Sequence, residues 1–190
     1  MTQRVLKNIK KVYKGAPNKE LKNTSILVQN GLIETIAPFT EIQKRISEST
    51  AIIDCSNLIL LPGFVESHTH LLFAGTRENE LYMRARGQSY LEILEQGGGI
   101  HSTVQKVRDA SEEELLKNGF RFLDQALGFG ITTIEVKSGY GLDFKNEEKM
   151  LRVIQKMSET HPVDVIPTFL VHTVSKDVDR EKYIQQVLDE

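Results

Sequence analysis

Short apolar runs separated by turn residues fill the first sixty positions, and from Gly63 onward such runs alternate with longer stretches whose apolar residues recur at helical spacing. Ser25–Val28 and Leu32–Ile36 flank Gln29-Asn30-Gly31, and Asn-Gly between two apolar runs predicts a hairpin turn. Pro38 ends the second strand, Ala51–Asp54 and Leu58–Leu61 are two further short strands, and Pro62-Gly63 breaks the pattern. Before them, Val5, Leu6, Ile9, Val12 and Tyr13 are interleaved with Arg4, Lys7, Lys10, Lys11 and Lys14, which reads as a solvated, lysine-blunted edge strand.

After the break, Phe64–Leu72 is a strand candidate. Ser89-Tyr90-Leu91-Glu92 has the form of a capping box and opens a short helix that stops at Gly97-Gly98-Gly99. Ser111-Glu112-Glu113-Glu114 opens a second helix, with Leu116, Phe120, Leu123 and Leu127 on one face and its end near Gly128 and Gly130. Ile131–Lys137 is a strand, 147–159 a helix buried through Met150, Leu151, Ile154 and Met157 or Ser158, Val163–Val171 a strand, and Asp179–Leu188 a helix. The order β, α, β, α, β, α predicts an α/β fold with parallel strands and right-handed crossovers.

Composition narrows the class of function. The 190 residues carry 24 Lys+Arg against 26 Asp+Glu, so no sequence-wide basic footprint invites nucleic acid. No apolar run approaches the roughly 20 residues of a membrane span, and no secretory apolar segment is present. The Lys-rich start lacks the Arg and Ser of a transit peptide, and the single cysteine, Cys55, rules out an intramolecular disulfide and fits a reducing compartment; the cytoplasm is the expected location.

The sharpest chemical feature is His68-Thr69-His70. Residues two apart on a strand point to one side, about 7 Å apart, so both imidazoles can converge on one divalent cation. The competing reading is a pair of strand-end histidines with hydrogen-bond partners. His172 ends the third strand, and in a parallel sheet it shares the carboxyl edge with His70, as a ligand or a substrate contact. His161, before Pro162 at the opposite edge, reads as a surface residue, while His101 either starts a helix or lines a site. Thr133, Glu135 and Lys137 share one strand face, which implies a Glu135–Lys137 pair or a polar network inside a barrel. Tyr140 sits in the Gly-Tyr-Gly turn beyond that strand. Arg77, in the first βα loop, either grips a carboxylate bidentately or is a solvated charge.

Leu61-Pro62-Gly63-Phe64-Val65-Glu66-Ser67-His68-Thr69-His70 resembles the opening of the metal-dependent amidohydrolase superfamily. Phe73-Ala74-Gly75-Thr76-Arg77-Glu78, Gly97-Gly98-Gly99-Ile100-His101, Lys137-Ser138-Gly139-Tyr140-Gly141-Leu142 and Thr168-Phe169-Leu170 ahead of His172 are similar to the imidazolonepropionase family within it. The resemblance implies a (β/α)₈ barrel with a small composite β-sandwich. Residues 1–61 would be the N-terminal strands of the sandwich, and 62–190 about three βα units of an incomplete barrel. It implies a zinc or iron ion held by His68 and His70, with Arg77, Tyr140 and His172 binding 4-imidazolone-5-propanoate. The implied reaction opens that cyclic amide to N-formimidoyl-L-glutamate in histidine degradation, and the family's homodimer is a further expectation. One departure lies at Leu170-Val171-His172-Thr173, where the family reads Gly-Ala-His-Ala. No residue here is a convincing general base, and the remaining ligands of the family come from later strands.

A (β/α)₈ barrel takes about 250 residues, and only about 130 follow Pro62, so the length reads as a cut through a longer protein. An arc of three strands should leave a raw sheet edge and exposed apolar helix faces. The alternatives are a non-catalytic truncated fragment, another cyclic amidohydrolase, or a small binding module.

Overall fold

A computed structural model describes residues 2–15, 20–171, 173–174 and 179–189. The chain divides into two compact units, residues 1–62 and 63–190. The first carries β1 (Gln3–Tyr13), β2 (Glu20–Gln29), β3 (Leu32–Ala37), the single-turn α1 (Phe39–Ile42), β4 (Ala51–Asp54) and β5 (Ile59–Leu60). The sheet order is β3-β2-β1-β4, with β5 also on β1. The Asn30-Gly31 turn joins β2 to β3 as the sequence implies, both residues having positive φ.

β1 corrects one expectation: it is the central strand, antiparallel to β2 and parallel to β4 and β5. Its charge density suggested an edge, but spacing decides. A bulge at Asn8, whose N–H donates to Ser25 Oγ at 3.0 Å, keeps Val5, Ile9 and Val12 buried while the lysines face outward. Lys7 Nζ lies 4.3 Å from the centre of the Phe39 ring, and Lys11 pairs with Glu20 at 3.2 Å. Apolar side chains cover both faces of this sheet: Ile9, Val12, Ile26 and Cys55 form one cluster, Val5, Leu27 and Ile42 another.

The second unit is a three-stranded parallel sheet in the order β6 (Phe64–Glu66), β7 (Ile131–Lys137), β8 (Asp164–Thr168). Between β6 and β7 run α2 (Glu78–Ala85), α3 (Tyr90–Glu95), α4 (Ile100–Asp109) and α5 (Glu112–Gly128). α6 (Phe144–Thr160) connects β7 to β8, and α7 (Arg180–Asp189) follows. Ser89 and Glu92 form the reciprocal capping box predicted for α3, and Ser111 Oγ accepts from the Glu114 N–H at the start of α5.

α5 and α6 pack on β7 and β8, burying Leu115, Leu123, Ile134, Val136, Met150, Ile154, Met157 and Val165 in one core. Burial of this apolar surface, worth about 25 cal/mol per Å², is what holds the unit together. Of the predicted α5 stripe, Leu123 is buried and Leu116 and Phe120 pack partly buried against the same core, whereas Leu127 is exposed; Leu115, Gly119 and Ala126 complete the buried face. Gly119 lets α6 come close, because a Cβ there would lie within 2.6 Å of Met157 Sδ. The opposite face of the sheet, carrying Val65 and Ile166 beside Thr133 and Glu135, is left uncovered by the described residues of this unit.

Candidate functional site

The ladder between β6 and β7 ends at Glu66, shorter than the strand predicted to Leu72. The chain nevertheless stays alongside β7. Thr69 Oγ1 donates to the Glu135 carbonyl at 2.6 Å, and the Lys137 N–H donates to the Thr69 carbonyl at 3.0 Å. Leu72 and Ala74 then turn into the helix-side core. His68 and His70 are thereby carried to the carboxyl edge of the sheet. Their ring centroids are 5.6 Å apart at an interplanar angle of 66°. The His70 ring in turn lies 5.5 Å from the Tyr140 ring.

Next to them is the polar network anticipated on β7. Lys137 Nζ and Thr168 Oγ1 both donate to Glu135 Oε1, at 2.5 and 2.8 Å. These two hydrogen bonds, the lysine's first, hold the Glu135 carboxyl below the usual carboxylate range, and the charge of nearby His68 adds to the effect. Glu135 Oε2 is buried and has no hydrogen-bond partner among the described residues.

His70, Arg77 and Tyr140 line one cleft of about 370 Å³, together with Phe73, Thr76 and Thr103. Arg77 stands exposed at the N-cap of α2, a helix that the sequence pattern did not predict because it buries no side chain. His68 is exposed at the same strand end. His172 lies outside the described residues.

The other two described histidines lie away from this cleft. His101 is exposed at the start of α4 and lines a separate hollow with Tyr90, Leu91 and Leu94. His161, expected on the surface, has a side chain only 7 % exposed. Its ring stacks on Phe120, and its Nδ1 accepts from the Val163 N–H at 3.1 Å. That bond makes Nε2 the donor to Asp124, so the ring is a structural plug at the end of α6.

Two residues at this edge escaped the sequence reading. Glu147, in the first turns of α6, is buried and accepts three backbone N–H bonds from the turn carrying Tyr140. Arg108 of α4 donates to the carbonyl of the same turn. The only sequence signal for Glu147 is spacing, a carboxylate five residues after a Gly-Leu pair at a helix start, and Arg108 leaves none.

The donor chemistry suits a divalent cation in part. Two imidazoles project from alternate positions, and the buried Glu135 oxygen lies near His68; yet among the described residues no three His, Cys, Asp or Glu side chains stand close enough together to hold a metal. The arrangement offers two imidazoles, fewer than the three protein ligands usual at a catalytic zinc.

No protein-family model matches the chain. It is 42% identical over 176 residues to the imidazolonepropionase of Geobacillus kaustophilus, covering 90% of this chain and 42% of that protein. It is 45% identical over 169 residues to that of Haloarcula marismortui, covering 87% and 40%. The chain thus spans about two fifths of the length of the curated relatives it matches. Among solved structures, a triazine hydrolase from Arthrobacter aurescens superposes over 100% of this chain and 42% of its own, at a TM-score of 0.58 and 15% identity. The N-isopropylammelide isopropylaminohydrolase of Burkholderia multivorans covers 100% and 43%, at 0.56 and 19%. An atrazine chlorohydrolase from Arthrobacter aurescens, complexed with zinc, covers 98% and 42% at 0.54 and 14%. At these identities the likeness is one of fold, a mixed α/β architecture. No helix among the described residues is long and apolar enough to cross a membrane.

Proposed function

We propose that this chain carries the first part of an imidazolonepropionase, a cytoplasmic hydrolase that opens the ring of 4-imidazolone-5-propanoate to N-formimidoyl-L-glutamate in histidine degradation. In this reading residues 1–61 are the N-terminal strands of a small β-sandwich, and residues 62–190 begin a (β/α)₈ barrel whose interior is the uncovered face of the β6-β7-β8 sheet. The observation that carries it is the cleft shared by His70, Arg77 and Tyr140, in a chain more than 40% identical to enzymes of that name.

His68 and His70 would hold a zinc or iron ion, with further ligands supplied by the part of such an enzyme that this chain does not span. Bound there, the ion acidifies water and polarises the ring carbonyl. Arg77 offers a planar fork of donors matched to the propanoate carboxylate, at the N-terminus of α2, where the helix dipole also favours an anion. Tyr140, across the cleft, offers a ring to stack on the imidazolone and a hydroxyl to hydrogen-bond its polar edge. His172 would add a third substrate contact.

The chemistry is a hydrolysis: the water oxygen bonds to the ring amide carbon, the C–N bond breaks, and the water's proton passes to the departing nitrogen. Thr69 and Lys137 keep the His68–His70 segment against β7 while this occurs, and the charged Glu135 adds negative potential beside His68.

The test uses the complete enzyme and a panel of rings. Loss of the ultraviolet absorbance of 4-imidazolone-5-propanoate is expected, with no comparable turnover of hydantoin or guanine rings. Activity confined to those other rings would replace this substrate with theirs. A complete enzyme that turns over none of these rings with added metal would overturn the hydrolase reading.

A further inference from the structure

The turn that presents Tyr140 is gripped through its backbone, in addition to the buried Ser138 and Leu142 side chains. Glu147 is 3 % exposed, and its carboxylate accepts the Gly139 N–H at 2.7 Å through Oε2 and the Gly141 and Leu142 N–H groups at 2.7 and 2.8 Å through Oε1. From the other side, Arg108 Nε donates to the Gly141 carbonyl at 2.8 Å, and its Nη2 pairs with Asp143 at 2.9 Å. Lys149, one turn along α6, caps the end of α4 by donating to the carbonyls of Val107, Arg108 and Ala110, which fixes the element that carries Arg108.

The turn meets α6 so closely that a Cβ on Gly141 would lie 2.5 Å from the Glu147 nitrogen, and Gly139 and Leu142 both take positive φ, 115° and 55°. A left-handed leucine and a buried carboxylate each cost free energy, and three charge-assisted hydrogen bonds offset it. Within 138–142 the side chains of Ser138 and Leu142 are buried and two residues are glycine, so Tyr140 is the one side chain this clamp delivers to the cleft.

We propose that Glu147 is a positioning residue: its carboxylate fixes the 138–142 backbone and so sets Tyr140 against His70. The consequence for substrate binding rests on the function proposed above; the positioning itself does not. In Glu147→Gln one acceptor oxygen becomes an NH₂ group that must face a backbone N–H, so the clamp loses at least one bond and opposes two donors.

Amide hydrogen exchange and the His70 ring resonances of the full chain provide the test. In Glu147→Gln, exchange at Gly139, Gly141 and Leu142 is expected to quicken about tenfold or more, with the Ile134 and Val136 amides still protected. The His70 ring resonances, which sense the Tyr140 ring, should move in the same direction as in Tyr140→Leu. Unchanged exchange at the three amides, or quickened exchange with unmoved His70 resonances, would overturn the proposal. If Glu147→Gln fails to fold, Gly141→Ala makes the same test by pushing the turn off α6 with the carboxylate intact. In the complete enzyme, Glu147→Gln should raise KM for the imidazolone about tenfold, with Tyr140→Phe adding little on top. Additive effects of the two variants would also overturn it. A wild-type enzyme without turnover would instead refute the substrate reading, while the exchange and resonance measurements still decide the role of Glu147.

Discussion

The two loops at the carboxyl edge of the β6-β7-β8 sheet bring their side chains to one cleft by opposite means. The turn 138–142 is buried and gripped through its backbone amides by Glu147 and through its carbonyl by Arg108. The segment 67–77 ends exposed, and the bond that steadies Arg77's neighbourhood is an exposed one, from Lys106 Nζ to the Thr76 carbonyl at 2.6 Å. Glu78 is drawn below its usual range by the Thr76 hydroxyl, but it too is exposed. One loop holds a ring in place through its backbone; the other leaves a long cation exposed to solvent. On the function proposed above, a rigid wall and an adaptable grip would together place one bond of a small ring while tolerating motion at its charged tail.

Substitutions that remove what the two loops share should have the largest effect. His70 belongs to one loop and its ring lies against Tyr140 of the other, and on the proposed function His70→Ala is expected to abolish turnover and most of the bound metal, measured as metal content per chain. Arg77→Lys should raise KM about 10- to 100-fold with kcat little changed, because the lysine cannot make two parallel bonds to a carboxylate. A fall in kcat alone would place Arg77 at the reacting bond instead. The two ties can then be set against each other by chemical denaturation. Arg108→Ala should destabilise the chain by about 1–2 kcal/mol, since it strands the Gly141 carbonyl. Lys106→Met, which removes an exposed bond, should cost less than about 1 kcal/mol. Equal costs would erase the contrast between the loops.

The smallest effect concerns pH in the first crossover. The Ser89 backbone and then its hydroxyl hold the Glu92 carboxyl below its usual 4.5. The folded state therefore favours the charged form: the contribution of this cap is complete above that ordinary value and is lost as pH falls through the lower folded one. Ser89→Ala should flatten the acid dependence of α3 helicity, measured by exchange in its amides.

Local chemistry was legible in the sequence. Asn30-Gly31 and the Ser89 and Ser111 caps needed only their neighbours to be recognised. The histidine spacing and the Gly-Tyr-Gly turn likewise marked the edge at which His68, His70, Arg77 and Tyr140 are found. Long-range pairing was not legible. β1 looks like an edge by charge, and only its partners on both sides make it central. α2 lacks an apolar stripe and so left no periodic signal, and the small Gly119, over which Met157 of α6 comes, added to the buried face of α5 what no apolar side chain could announce. Glu147 stayed hidden for a related reason. It acts on backbone amides, which every residue has, and no pairing of side-chain types announces such a contact.

The most direct measurement is a comparison of two substrates by the complete enzyme: 4-imidazolone-5-propanoate and the same ring without its propanoate arm. A ring held over His68 and His70 with its tail at Arg77 should be opened to N-formimidoyl-L-glutamate with kcat/KM at least about tenfold above that of the armless ring, and Arg77→Lys should remove most of the difference. Equal kcat/KM for the two rings, or a preference that survives Arg77→Lys, would contradict the assignment of this cleft.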